Sequence, residues 1–448
     1  MSLVNIESEY KLIRSWNLTY SQKAHVIYPS TIKELIDIIK FSKKKRKTFA
    51  IRTGECSYDS KSISSSKNSM IISLKKFNRI IKINKKNKII SVESGAKISD
   101  IIYFLKKKNL TLYSVPGGEH VSVGGAISAN VIGKDSTKLV ASFGDSIKYL
   151  KIITYTGKIK ELTNNSREFY KYIGSFGMFG IILEAKIKTK KIISNNLLLE
   201  SKVLNNIKEV DSELKKNDEY KYIQIDPFFR KNFFAAVFKG NYVKNLENNY
   251  KNTNLRVNFL EIIFFKISSF FINSITWKIF YRIFFQLNND KKKYVDIHNF
   301  HYVSKYKHMV PLICKEGLID YEVLIRKKFC KEFTEIQKFI INNSIIPIYI
   351  IVKKLFKSKK KFFYNFNNDG YSVAISFHLK DLNKLKKDKL DKLFKKKKLL
   401  LNLSKTDSRL IKKTKKVCSN NNKIFMSLYK EKLIKRKYEV SRKRIGNF

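Results

Sequence analysis

The stretch from Val115 to Ser136, VPGGEHVSVGGAISANVIGKDS, limits what this chain can become more than any other. It holds Gly117, Gly118, Gly124, Gly125 and Gly133 in a chain with only 16 glycines among 448 residues. Residues without side-chain bulk let backbone N–H groups come close to a ligand, which is how folded proteins commonly hold a pyrophosphate. The sequence therefore points first to a nucleotide cofactor. A Walker loop needs GxxxxGK[ST] and a Rossmann site needs GxGxxG directly after the first strand. The chain has neither, so the common nucleotide folds are disfavoured.

The length fits two domains, each large enough to bury a core, and 43% hydrophobic residues exclude a disordered chain. A formal charge of +55 would favour phosphate-rich partners. Lysine, asparagine and isoleucine are abundant everywhere, however, as an AT-rich coding bias produces. Runs such as Lys395 to Lys398 are therefore expected on solvated faces, with no nucleic-acid partner. Cys56, Cys314, Cys330 and Cys418 lack CxxC spacing and the histidines lack ligand spacing, so no metal site and no disulfide framework are expected. The N-terminus has no basic start, apolar block and cleavage site of a secretory signal. Phe259 to Leu287 is rich in aromatics but interrupted by Glu261, Lys266, Lys278 and Arg282, so no uncharged run reaches the roughly 20 residues of a spanning helix. That segment is either an interfacial stripe lying in a headgroup layer or the buried face of a core helix. These readings place the protein in the cytoplasm or peripherally on the inner face of the membrane.

Thr31 with Glu34 reads as a capping box ahead of a helix whose apolar face is Ile32, Leu35, Ile36 and Ile39. Ser99 opens a second amphipathic helix, and Thr156-Gly157 reads as a hairpin turn. An α+β unit ends near residue 192, a second domain follows to about 400, and a basic C-terminal segment completes the chain.

Four segments taken in order, RTGECSYDS at 52–60, PGGEHVSVGGAISANVIGKDS at 116–136, SFGDSI at 142–147 and GSFGMFGIILEA at 174–185, resemble the vanillyl-alcohol oxidase family. Within it the resemblance is closest to the decaprenylphosphoryl-ribose oxidases. It extends to Trp16, to GLIDYEVLI at 317–325, to KLF at 354–356, to GYSVAISF at 370–377 and to LSKTDSRL at 403–410. The resemblance implies a two-subdomain FAD-binding fold over 1–192 and a substrate (cap) domain with an antiparallel sheet and helices over 193–400. Residues 401–448 would return to the first domain.

It also implies residue roles. Noncovalent FAD would lie against Ser57, Tyr58, Pro116, Gly117, Gly118, Glu119, Ser122, Gly124, Gly125, Ala126, Asn130, Gly133, Ser142, Gly144, Gly177, Gly180 and Ile181, with backbone N–H groups around the pyrophosphate. Lys134, Lys405 and Tyr58 would serve catalysis, and Asp320, Glu322, Lys354 and Ser372 would meet the substrate. Ile132 replaces the family's histidine, which excludes a covalent flavin link there. Asp320 and Glu322 replace two glutamines and bring negative charge to the substrate pocket.

The resemblance implies oxidation of a secondary sugar hydroxyl by hydride transfer to flavin. The expected substrate is a lipid-linked phosphosugar, with a short-chain reductase as partner and membrane contact through 259–287. Oxidation of an aldonolactone or another soluble sugar is the alternative within enzymes. A non-catalytic basic binding protein with a decayed flavin fold is the alternative outside them.

Overall fold

The computed structural model describes residues 6–58, 62–63, 70–118, 120–228, 233–244, 260, 263, 267, 274–301, 316–366, 368–402 and 404–405. Among these residues the first of three sheets joins β1 (Ser8–Arg14), β2 (Ser21–Ile27), β3 (Phe49–Arg52) and β4 (Met70–Ser73) in the order β1-β2-β4-β3. β4 runs parallel to both β2 and β3, and parallel strands need a long crossover. Helix α1 (Ile32–Lys44) lies between β2 and β3 in sequence and buries Leu35, Ile38 and Ile39 against Ile27, Phe49 and Ile72. Thr31 Oγ1 accepts from the Glu34 N–H at 3.1 Å, while the Glu34 carboxylate accepts from Ser30 N–H at 2.7 Å. The return bond of the box thus reaches one residue further back than expected.

The second sheet is antiparallel: β5 (Ile80–Asn84), β6 (Ile89–Glu93), β7 (Leu110–Leu112), β8 (Ile147–Ile153), β9 (Ile159–Thr163) and β10 (Ile181–Lys191), in the order β5-β6-β10-β8-β9 with β7 beside β10. Gly157 makes the β8–β9 turn. α2 (Ile98–Lys106), α3 (Val123–Ala129) and α4 (Arg167–Tyr172) supply apolar residues to its core. α2 starts at Ile98, not Ser99, because Lys97 is fixed by a β-bridge to Ser122 and the Ile98 N–H donates to Val121 O at 2.9 Å.

The third sheet is wholly antiparallel. It contains β11 (Asn196–Leu204), β12 (Tyr220–Ile225), β13 (Ala235–Tyr242), β14 (Lys291–Asp296), β15 (Leu318–Ile325), β16 (Tyr349–Leu355), β17 (Gly370–His378) and β18 (Leu400–Leu401), ordered β14-β11-β13-β12-β16-β17-β15-β18. α5 (Ile207–Lys215), α6 (Ser274–Leu287), α7 (Ile297–His301), α8 (Phe329–Asn342) and α9 (Lys384–Lys396) complete the described helices. Ile319, Tyr321, Val323 and Ile325 of β15 and Val373, Ile375 and Phe377 of β17 share one core with α5, α8 and α9. Successive strand residues face opposite ways. Asp320, Glu322, Ser372 and Ser376 therefore occupy the other face, against the first two sheets.

The two halves interlock. Asn17 Nδ2 donates to Leu318 O and the Leu318 N–H donates to Asn17 O, both at 2.9 Å. Phe362, just after β16, enters the core of the second sheet, and Ser358 donates to Asp145. Gly174 sits at φ +70°, and a Cβ there would lie 2.2 Å from Tyr364 O. The architecture is α+β, with the smaller sheets within residues 8–191 and the helix-backed antiparallel sheet within 196–401.

Candidate active site

Two loops from the first half build one wall. Gly54 lies so close to the glycine segment that a Cβ would stand 2.1 Å from His120 O and 2.7 Å from Ser122 N. Within that segment the amides divide. The Gly124 N–H donates to Ser94 O at 2.7 Å, Gly125 N–H to Ser122 Oγ at 3.3 Å and Ala126 N–H to Ser122 O at 2.8 Å. These three, expected around a pyrophosphate, are instead consumed in docking and capping α3. The amides of Gly117 and Gly118 have no acceptor among the described residues, and nothing lies within 4 Å of a Cβ built at Gly117. Two successive free amides beside open space fit one end of a phosphate cradle. Pro116 is buried beside them, and Glu119 lies outside the described residues.

The other named cofactor residues shape the wall. Asn130 ends α3 in the left-handed region and accepts from the Gly144 N–H at 3.0 Å. Gly133 N–H donates to Ser114 Oγ at 3.2 Å, and Ser142 donates to Asp145. Gly177 O accepts from Tyr155, and Gly180 leads into Ile181, which pairs with Ile153 inside the second sheet. Ser57 O accepts from the Trp16 N–H at 3.0 Å, and the Trp16 and Tyr58 rings stand 5.0 Å apart. Burial pushes the Cys56 thiol up to about 12, which removes it from nucleophilic chemistry.

The facing wall is the polar side of the third sheet. Glu322 is 1% exposed and receives Ser372 Oγ at 2.5 Å, Asn402 Nδ2 at 2.7 Å, Lys405 Nζ at 3.3 Å and Lys353 Nζ at 3.8 Å. Burial works against its charge, yet Lys405 and Lys353 outweigh burial and hold the carboxyl at about 2. Burial likewise works to discharge Lys405, but Glu322 and Asp320 keep it above the usual lysine range. Lys353 is brought down to about 8 by burial, with Lys405 adding to the effect and Glu322 opposing it. Lys134 falls to about 8 through burial and the nearby Lys353. Its Nζ lies 3.4 Å from Phe300 O and over the rings of Phe300 and Tyr222. Asp320, one pleat from Glu322, accepts hydrogen bonds from Ser376, Tyr349 and Tyr58.

The structure thus brings Tyr58, Asp320, Glu322, Ser372 and Lys405 together, with Lys134 electrostatically coupled to the group through Lys353. It does not bring Lys354. β16 buries Ile350 and Val352 toward the helices, so Lys354 follows them and donates to Lys215 O at 3.3 Å, while Lys353 takes the site face. Lys353 and Asn402 are the residues that motif reading misses. Alternation along IIVKKL identifies the first. Asn402 depends on β18 pairing with β15, for which the sequence carries no signal. The described residues at the start of the C-terminal segment, Leu401, Asn402, Ser404 and Lys405, lie beside the third sheet, and 403 and 406–448, including Thr406, lie outside the described residues.

Cholesterol oxidase from B. sterolicum superposes with a TM-score of 0.72 at 10% identity, covering 96% of this chain and 98% of that one. The His121Ala mutant of cholesterol oxidase from Brevibacterium sterolicum gives 0.69 at 10% identity, over 90% and 88%. The fold is shared with cholesterol oxidase. Residues 23–163, which include both glycine loops, match the family model of the FAD binding domain. Decaprenylphosphoryl-beta-D-ribose oxidase of Mycolicibacterium smegmatis is 30% identical over 98 residues, and the match spans 21% of this chain and 21% of that protein.

On the same face of the third sheet as the site, α6 packs Tyr281 and Phe285 against Ala236 and Phe238, and Trp277 Nε1 donates to Ile348 O at 3.1 Å. Its opposite face shows Ile275, Ile279, Ile283 and Leu287, 49–68% exposed at a four-residue spacing, with Leu260 and Ile267 also exposed. No helix among the described residues is long and apolar enough to cross a membrane, and no group of three metal-ligating side chains occurs among them.

Proposed function

We propose that this chain is an FAD-dependent oxidoreductase that converts a secondary sugar hydroxyl to a ketone. The observation that carries the reading is the juxtaposition of the glycine loops and Tyr58, inside the FAD-binding-domain match, with a sheet face bearing Lys353, two carboxylates and three hydroxyls, beside which Lys405 lies. Gly117 and Gly118 would hold the cofactor's phosphates, and bound flavin supplies the hydride acceptor. Binding is noncovalent at position 132, since Ile132 has no nucleophile. The protein's own part is to orient the hydroxyl, exclude water and take its proton.

The favoured substrate is a polyprenyl-phosphate-linked pentose, the oxidation being the first half of an epimerisation that a short-chain reductase completes. Lys134 and Lys353 supply cations for its phosphate. Asp320, which has no ion pair among the described residues, favours a second reading, an aldonolactone or other soluble-sugar oxidase, because an unpaired carboxylate repels phosphate. Purified protein should show flavin absorbance, and anaerobic mixing should bleach it with a phosphoprenyl pentose but not with soluble lactones. Bleaching by lactones alone selects the second reading. A colourless protein that cannot be reconstituted leaves a non-catalytic basic protein.

A lipid-linked substrate calls for a lipid-facing surface, and the outer face of α6, flanked by Lys278 and Arg282, is the best one described. The double substitution Ile279→Ser/Ile283→Ser should release the protein from vesicles containing anionic lipid. Unchanged co-sedimentation would remove this face from consideration. Phe264, Phe265, Phe270 and Phe271, the aromatic core of the same sequence segment, lie outside the described residues.

A further inference from the structure

We infer that Asp320 is the terminal acceptor of the substrate hydroxyl's proton, reached through the phenol of Tyr58. The inference rests on the oxidoreductase reading above and adds the group that receives the proton. Asp320 and Glu322 lie on one face of β15, two residues apart, and both are nearly completely buried. Their partners differ in kind. Glu322 is bound to two ammonium groups, an amide and a hydroxyl, and protonating it would cost both ion pairs. Asp320 has hydroxyl partners, Ser376 on β17, Tyr349 on β16 and Tyr58 on the loop after β3, and no ion pair among the described residues. Such a carboxylate can gain a proton without releasing a cation.

Tyr58 is placed to connect the two walls. Its loop packs on the glycine segment through Gly54, its ring meets Trp16, and its hydroxyl bonds Asp320. The charged and titratable neighbours of the pair are Glu322 on β15, Tyr349 on β16 and Lys405 after β18. Burial pushes Asp320 upward, against the Ser376 hydroxyl and Lys405, and pushes Tyr58 far above the ordinary phenol range, next to the Asp320 charge. Tyr58 therefore stays a phenol and passes a proton rather than storing a charge. In the step, the carbinol C–H bond breaks and its electron pair leaves as hydride to oxidised flavin. The O–H bond breaks, and its pair becomes the second C–O bond. The released proton goes to the Tyr58 oxygen as the Tyr58 proton goes to Asp320.

The test uses flavin-loaded protein with Asp320→Asn, Asp320→Glu and Tyr58→Phe. Infrared pH titration needs no substrate: wild type should show the C=O stretch of a buried protonated carboxyl persisting above the ordinary aspartate range, absent in Asp320→Asn and kept in Tyr58→Phe. Flavin reduction is then followed with whichever probe, phosphoprenyl pentose or lactone, reduces wild type. The wild-type rate should fall as pH drops through that same value. Asp320→Asn should be about 10²- to 10⁴-fold slower and lose the acid limb, Asp320→Glu should keep the limb, and Tyr58→Phe should be slowed. Should Asp320→Asn fail to fold, Tyr58→Phe carries the test, and wild-type speed in it overturns the relay. An Asp320→Asn protein with the wild-type rate and acid limb, or with the infrared band intact, overturns the inference while leaving the oxidoreductase reading standing. A wild-type flavin that no probe reduces overturns that reading instead.

Discussion

Replacing Lys405 with methionine is expected to destabilise the protein by about 3 kcal/mol, the lower end of the range for breaking a buried ion pair. The lower end applies because 35% of the Lys405 side chain is exposed, whereas its partner Glu322 is 1% exposed and cannot recover water. Among the described residues, Lys353 at 3.8 Å would still face it. The pH dependence should change with the stability. Glu322 is held at about 2 in the folded chain, below its ordinary value of about 4.3. A depressed carboxyl contributes stability that is present above the unfolded value and is lost as pH falls through the folded one, here on the order of 3 kcal/mol between about pH 5 and pH 2. In Lys405→Met this acid-side loss should shrink, and adding Glu322→Gln should return much of the stability at neutral pH. Urea unfolding of the three proteins across that range is the measurement. A Lys405→Met variant with the full wild-type acid dependence would show that Lys405 is not what holds Glu322 ionised.

The second large effect is expected at Gly54. Alanine there puts a methyl carbon 2.1 Å from a backbone carbonyl oxygen and 2.7 Å from a backbone nitrogen, and neither can swing away as a side chain would. Overpacking of this kind costs about 1–3 kcal/mol or more. Relief requires the 52–58 loop to separate from the glycine segment. Gly54→Ala should therefore lose flavin during purification before it loses its fold, read as absorbance per protein alongside circular dichroism. Gly117→Ala, with open space around the new methyl, is the matched control for stability. Equal flavin content in wild type and Gly54→Ala would refute the close approach.

Residues whose chemistry and spacing survive without long-range context were legible in the sequence. The alternation in LIDYEVLI already puts Asp320 and Glu322 on one face and Ile319, Tyr321 and Val323 on the other, and the sheet follows it. What the sequence hides is how backbone donors are spent. Gly124, Gly125 and Gly117 look alike as letters, yet the first two donate inside the protein and the last does not, a difference set by Ser94 and Ser122. Lys354 is a different case: a three-letter match favours it, while the pleat of β16, readable in the alternation of IIVKKL, chooses its neighbour. Asn402 was out of reach because its place is decided by a two-residue strand pairing across 80 positions.

That neighbouring lysine makes the site tolerant of one kind of accident. A one-residue slip of β16 exchanges the faces of every side chain on the strand. It would carry Ile350 and Val352 out of the core, but it would deliver Lys354 to the place of Lys353. In that direction the ammonium opposite Glu322 is encoded twice, and a deleted residue upstream would damage packing before it changed the charge of the pocket, whereas an inserted one would put Val352 there.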